Sequence, residues 1–317
     1  MRKFQVHRIA AALALSLLGL IASYAGEKPT VTTPVQRTVT LRVLGDDKRV
    51  PEVNREDVIV NQGKDRLRVT GWTAARGEHA GLELFILIDD ASHANLASQY
   101  NDLREFINSQ PTTTSIGLGY MRNGGVQIAQ NFTTDHDQVA KALRLPLGSS
   151  GAYGSPYLSA IDLMNRWPET THRREVMMIT DGIDRARRVR NYSGFLYTNP
   201  DVDSAGVVAQ RTGTIIHTVF TRGVGRLGRN FWEITNGQNG MAKLSDQTGG
   251  ESYYLGTSGP VSIKPYLEDL QKTLDNQYLL EFHAVPGKKA GLQPVKLNTE
   301  VAGVELNTAD SVWVEAR

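Results

Sequence analysis

Leu84-Phe85-Ile86-Leu87-Ile88-Asp89 and Val176-Met177-Met178-Ile179-Thr180-Asp181-Gly182 decide how this chain folds. Each is a nearly unbroken apolar run closed by an aspartate, and such a run fits a strand buried on both faces. In a parallel sheet, acids at strand C-termini face the crevice where ligands bind. The two aspartates therefore mark a candidate site before any fold is assigned.

Working outward, strands and helices alternate from Leu82 to about Asn276. Strands are read at 84–88, 115–120, 126–132, 176–180, 214–220 and 251–255, and helices at 96–108, 135–145, 156–167, 200–211, 230–247 and 262–275. In the first helix Leu96, Tyr100, Leu103, Phe106 and Ile107 recur at spacings of three and four, as one buried face requires. Asn123-Gly124 joins the second and third strands as a hairpin, because that pair tolerates the positive φ of tight turns. Crossover helices between the other strands imply an α/β architecture: a doubly wound, mostly parallel six-stranded sheet with one antiparallel edge.

The flanks read as β. Val39-Thr40-Leu41-Arg42-Val43 alternates, Val58-Ile59-Val60 and Leu67-Arg68-Val69 are short strands, and Tyr278-Leu279-Leu280-Glu281-Phe282, Val295-Lys296-Leu297 and Val312-Trp313-Val314 follow the last helix. About three short strands on each side are too few for a core, so segments 38–72 and 278–314 are expected to pack together as a small β module. The organisation expected is a leader over 1–25, an N-terminal β segment over 26–81, the α/β domain over 82–276, and a C-terminal β segment over 277–317.

The leader is read from Arg2, Lys3 and Arg8 before the apolar stretch Ile9–Ala22, with Ser23-Tyr24-Ala25 as a small-residue cleavage site. Cleavage after Ala25 predicts a secreted or periplasmic protein whose mature chain has no transmembrane segment. The formal charge of +2, less the three charges of Arg2, Lys3 and Arg8, leaves −1 for the mature chain. That near-neutral balance argues against nucleic acid. With no cysteine in the sequence, disulfides, thiolate catalysis and cysteine-bound zinc are excluded.

The order strand-Asp, Gly/Ser loop before a helix, then strand-Thr-Asp-Gly resembles the von Willebrand factor type A (VWA) domain. The flanking segments resemble the VWFA-related Acidobacterial domain family of exported proteins over most of the mature length. The shared features are a β segment ending near Gly63, Ser155-Pro156-Tyr157-Leu158 at a helix start, Thr180-Asp181-Gly182, and a closing Asn276-Gln277-Tyr278-Leu279-Leu280. The resemblance implies a metal site (MIDAS), in which Asp-x-Ser-x-Ser, a Thr and a second Asp hold a divalent cation open to a partner's carboxylate. Magnesium wants six oxygen ligands. Here the first element is Asp89-Asp90-Ala91-Ser92-His93, so Ala91 and His93 stand where the hydroxyls belong. Asp89, Ser155 and Asp181 remain as candidate ligands of a degenerate site, and a shifted register would use Asp90 and Ser92. Weak magnesium binding, or none, is expected, and Ala91→Ser with His93→Ser is expected to raise affinity.

His93, Tyr153, Arg185, Arg187 and Arg188 are read as a rim for a partner. Gly223-Val224-Gly225-Arg226-Leu227-Gly228 spells a dinucleotide fingerprint, but it follows the fifth strand and lacks a ribose-binding acid, so it reads as a loop. His217, inside an apolar strand, reads as a core histidine. No Gly-x-Ser-x-Gly elbow occurs, and His93 with Ser155 and Asp89 is only a loose polar trio. The leading expectation is an exported, non-enzymatic module binding a protein or extracellular polymer at the strand-end crevice. A structural or assembly component of the cell envelope is the alternative, and a hydrolase built on His93 the third.

Overall fold

The computed structural model describes residues 32–44, 51–148, 154–186, 199–254 and 261–316. The proposed leader, Tyr153, Arg187 and Arg188 lie outside them. The strands are β1 (Thr33–Val43), β2 (Val58–Gln62), β3 (Asp65–Leu67), β4 (Val69–Ala74), β5 (Leu82–Asp89), β6 (Thr114–Arg122), β7 (Gly125–Thr133), β8 (Arg173–Thr180), β9 (Thr214–Phe220), β10 (Ser252–Tyr253), β11 (Gln277–Ala284), β12 (Gly291–Pro294), β13 (Lys296–Thr299), β14 (Val304–Asn307) and β15 (Ser311–Val314). The α-helices are α1 (Tyr100–Ser109), α2 (His136–Lys141), α3 (Pro156–Asn165), α4 (Pro200–Thr212), α5 (Phe231–Thr248) and α6 (Lys264–Asp275).

Six strands form the central sheet in the order β10-β9-β8-β5-β6-β7. All neighbours are parallel except β6 and β7, which Asn123 (φ 53°) and Gly124 (φ 76°) join as a tight hairpin. Because successive side chains alternate across a strand, Leu84, Ile86 and Ile88 point to one face, where α1, α2 and α6 bring Leu103, Val139 and Leu270. Phe85 and Leu87 point to the other, against Tyr157 of α3, Val202 of α4 and Leu244 of α5. Both faces of β5 are thus covered, which is why its apolar run has no polar alternation. His217 is fully buried in β9, with Nε2 2.7 Å from Glu175 Oε2 of β8 and Nδ1 accepting the Glu251 N–H.

The flanking strands build a sheet β14-β1-β11-β4, with β13-β2-β3 and the pair β12-β15 beside it. Val39, Leu41, Val60, Leu280, Phe282 and Val312 share one apolar core drawn from both ends of the chain. Trp72 stacks on Tyr278 with ring centroids 4.6 Å apart.

Several boundaries differ from the sequence reading. The segment read as one strand around Arg68 is two, since β3 ends at Leu67 and β4 starts at Val69, and the Arg68 carbonyl accepts the His283 N–H where β11 bulges. The first helix opens as a 3-10 turn over Ala94–Gln99 and is α-helical only from Tyr100. The next helix stops at Lys141 rather than Leu145, and the residues released carry Arg144 toward the strand ends. The sixth strand shrinks to Ser252–Tyr253. Among the described residues no helix is long and apolar enough to cross a membrane.

Candidate functional site

Strand order reverses between β5 and β8, and at such a switch point the flanking loops diverge and leave a crevice at the strand C-termini. Asp89 ends β5 there, and Asp181 follows β8. Asp89 Oδ1 accepts the Ala91 N–H at 2.8 Å, and its Oδ2 accepts the Thr180 hydroxyl at 2.7 Å. Burial, then the neighbouring charge of Asp181, push its carboxyl up to about 6, against the opposing pull of Arg185, Thr180 and the Ala91 N–H.

Asp181 is 1% exposed and is gripped by Arg185. Arg185 Nη1 donates to Asp181 Oδ1 at 3.0 Å and Nη2 to Oδ2, a bidentate pair, while the Ile183 N–H also reaches Oδ1 at 3.0 Å. Burial lowers the Arg185 pKa, but the charge of Asp181 and its hydrogen bonds outweigh that and leave it raised. The Arg185 N–H donates to the Gly154 carbonyl, which ties the arginine to the loop preceding α3. Above the pair runs the segment after β9. His93 N–H donates to the Arg222 carbonyl at 2.7 Å and Val224 N–H to the Ala91 carbonyl at 2.9 Å, around an isolated bridge between Ser92 and Gly223. A Cβ at Gly223 would lie 1.7 Å from Asp181 Oδ2, so only glycine lets this segment lie over the ion pair. Gly228 then packs on the Gly223 carbonyl, 2.3 Å from where its own Cβ would be. Those two glycines of the dinucleotide-like string are thereby explained by packing.

A parallel sheet of this order, with its antiparallel edge at β7 and acids closing β5 and β8, is what decides the fold. The chain has the α/β fold of a von Willebrand factor type A domain. No family model matches the sequence, and no curated protein matches it. Among solved structures, it is similar to a von Willebrand factor type A protein from Catenulispora acidiphila (9% identity over 92% of this chain and 76% of that one, TM-score 0.43). It is similar also to an aerotolerance-related membrane protein from Bacteroides fragilis (11%, 62% and 99%, TM-score 0.43) and to BatB from Bacteroides thetaiotaomicron (14%, 61% and 97%, TM-score 0.42).

The residues at these strand ends do not fit a magnesium ion. Asp89, Ala91, Ser155 and Arg185 do meet, around a void of about 10 Å³, room for about one water. Yet the Ala91 methyl coordinates nothing, and both Asp181 oxygens are held by Arg185. His93 faces a different cavity, and its Nδ1 accepts the Asn95 N–H as the cap of the 3-10 turn. The shifted register fails as well. Asp90 is fully buried and paired with Arg144, whose Nη1 and Nη2 donate to Oδ1 and Oδ2 at 2.7 and 2.8 Å. Arg144 lies with its guanidinium 3.7 Å from the Tyr120 ring centroid. Among the described residues no group of three or more acids and histidines is placed to hold a metal.

Two further placements matter. The Ser92 and Ser155 hydroxyls are buried without a hydrogen-bond partner among the described residues, so Ser155 makes no bond to His93 and the polar trio does not assemble. Arg185, read as a rim residue, is instead interior, with its side chain 7% exposed, because Asp181 draws the guanidinium inward. Beside this closed position lies an open cavity of about 620 Å³ that periodicity and motif reading do not reveal. His93, Arg222 and Arg229 line it together with apolar side chains from the ends of β8 and β9, and among the described residues no carboxylate lines it. Arg222 and Arg229, which flank the Gly223–Gly228 string, were the one available signal for it.

Proposed function

We propose that this chain is an exported, non-enzymatic binding module that recognises a protein or an extracellular polymer at its strand-end crevice without a metal ion. The observation that carries the reading is the bidentate Arg185–Asp181 pair, which puts a covalently tethered cation where the VWA architecture otherwise holds a divalent one. The charge of Asp181 is met internally by Arg185, and the adjoining cavity, with cationic residues on its rim, remains open for recognition. A non-catalytic role is supported by the His93 ring serving as a cap and by the absence of a Ser155–His93 hydrogen bond among the described residues. Export is supported by the basic, apolar, small-residue order of residues 1–25. Mass spectrometry of the exported protein is expected to find Gly26 at its N-terminus, and an intact Met1 would contradict export by cleavage.

The test is capture on immobilised mature protein from envelope and culture fractions. The expected result is a partner retained in the presence of EDTA and released when Arg222→Glu and Arg229→Glu reverse the rim charge. Loss of the partner on chelation, with full recovery on adding magnesium, would overturn the metal-independent reading.

A further inference from the structure

The open cavity has a composition that specifies its ligand. Deepening the reading of the crevice as a binding site, on which this step rests, we infer that it takes an organic acid: an anionic head on an apolar body. Three observations support this. Its volume of about 620 Å³ lies within the size range of small-ligand pockets. Its inner wall is apolar, with Ile179 and Val219 from the ends of β8 and β9 and Ile263 from the start of α6. Its rim is cationic, and Arg222 and Arg229 make no ion pair among the described residues, while Asp89, Asp90 and Asp181 are committed elsewhere.

The rim is also oriented for an anion. Arg222 Nε reaches back to the Gly228 carbonyl at 3.4 Å, which steadies the guanidinium while leaving its terminal nitrogens as donors. His93 accepts the Asn95 N–H at Nδ1, which places its ring proton on Nε2 as a further donor. An arginine fork pairs with a carboxylate through two parallel hydrogen bonds, and the apolar wall favours burying a hydrocarbon or aromatic body. A free organic acid and the C-terminal residue of a peptide share this chemistry.

The experiment is a fluorescence titration of the full mature chain with 1-anilinonaphthalene-8-sulfonate and with N-phenyl-1-naphthylamine, its neutral counterpart lacking the sulfonate. The sulfonate is expected to bind saturably, one per chain and at least tenfold more tightly than the neutral probe. Arg222→Gln with Arg229→Gln is expected to abolish that preference without changing the neutral probe. Ser98→Trp, at a lining position that is exposed, is expected to displace both probes by filling the cavity without altering charge. Arg226→Gln, on the same loop but not lining the cavity, is expected to change neither. Equal losses in Arg226→Gln and in the double variant would overturn the inference, as would undiminished sulfonate binding in Ser98→Trp. Competition then distinguishes the sources, using 3-phenylpropionate and a peptide ending in Leu-Phe with a free or an amidated C-terminus. Displacement by 3-phenylpropionate points to a free acid, and displacement by the free-ended peptide alone points to a chain terminus. Displacement by neither, or equally by the amide, would overturn the assignment. A protein that captures its partner but binds no sulfonate probe sinks this inference alone, and one that binds the probe but captures no partner sinks the binding-module reading alone.

Discussion

Gly223 borders two unlike halves of one crevice. On one side Asp89, Ser155 and Arg185, the last paired with Asp181, close down to a void of about 10 Å³, and on the other His93, Arg222 and Arg229 line about 620 Å³. Both halves are assembled from loops at the same strand ends, and both contain arginine. They differ in where the compensating charge comes from. The closed half supplies its own acid to its own arginine, whereas in the open half Arg222 and Arg229 pair with no acid among the described residues. Burial costs a charge several kcal/mol unless it is paired, so the pairing in the closed half is a condition of folding, and the lack of it in the open half is tolerable only because Arg222 and Arg229 are exposed.

The sharpest way to break this contrast is Arg185→Met. It strands Asp181 and Asp89 as uncompensated buried acids, and a loss of about 3–5 kcal/mol in urea unfolding is expected. A loss below about 1 kcal/mol would mean that the pair is not formed in solution. Next in size is the pH dependence of Asp89. Its carboxyl is raised from 3.8 to about 6 in the folded state, so the native chain holds its proton where the unfolded chain releases it. Stability from this group is therefore greatest below about pH 4 and falls as pH rises through 6. Asp89→Asn is expected to abolish that fall, so the mutant-minus-wild-type stability difference shifts by about 3 kcal/mol in favour of the mutant between pH 4 and pH 7. A difference that stays flat across this window would refute the buried, acid-crowded environment assigned to Asp89.

Arg144→Met probes the second buried acid, Asp90. Because Arg144 is 37% exposed, water replaces part of the lost interaction, and a smaller cost of about 1–3 kcal/mol is expected. A cost exceeding that of Arg185→Met would reverse the ranking of the two pairs. Smallest of all should be Arg229→Met in the open half, within about 0.5 kcal/mol of the unmodified protein. A large loss there would show that Arg229 is structurally committed and erase the contrast.

The central sheet was legible because its signals are local. An apolar run ended by an acid, or Asn-Gly between two strands, can be read without knowing what lies opposite. The register and partners of a buried charge cannot. Asp184–Arg190 contains four arginines, and nothing in the string itself distinguishes Arg185, which turns inward, from those beside it. The one local cue is its four-residue separation from Asp181. Asp90 next to Asp89 posed the same difficulty, since Arg144 lies 54 residues away and reaches it only because the second helix stops early. In the flanks, Val304-Glu305-Leu306 alternates and buries Val304 and Leu306, a pattern that the reading passed over. Gly291-Leu292-Gln293-Pro294, with glycine and proline and no apolar repeat, offers no such cue and is a strand only through pairing with β15. The open cavity was hidden for the same reason, as it is lined from four separate stretches of chain.

Whether Arg185 takes the place of a cation between Asp89 and Asp181 is tested most directly by a calorimetric titration of magnesium at neutral pH. The titration should be flat for the unmodified protein and remain flat for Ala91→Ser with His93→Ser, because restoring hydroxyls leaves the guanidinium in place. Adding Arg185→Ser to that pair should produce saturable binding, since oxygen ligands and free carboxylates then face an open position. Saturable magnesium binding by the unmodified protein would show that Arg185 does not fill the cation position.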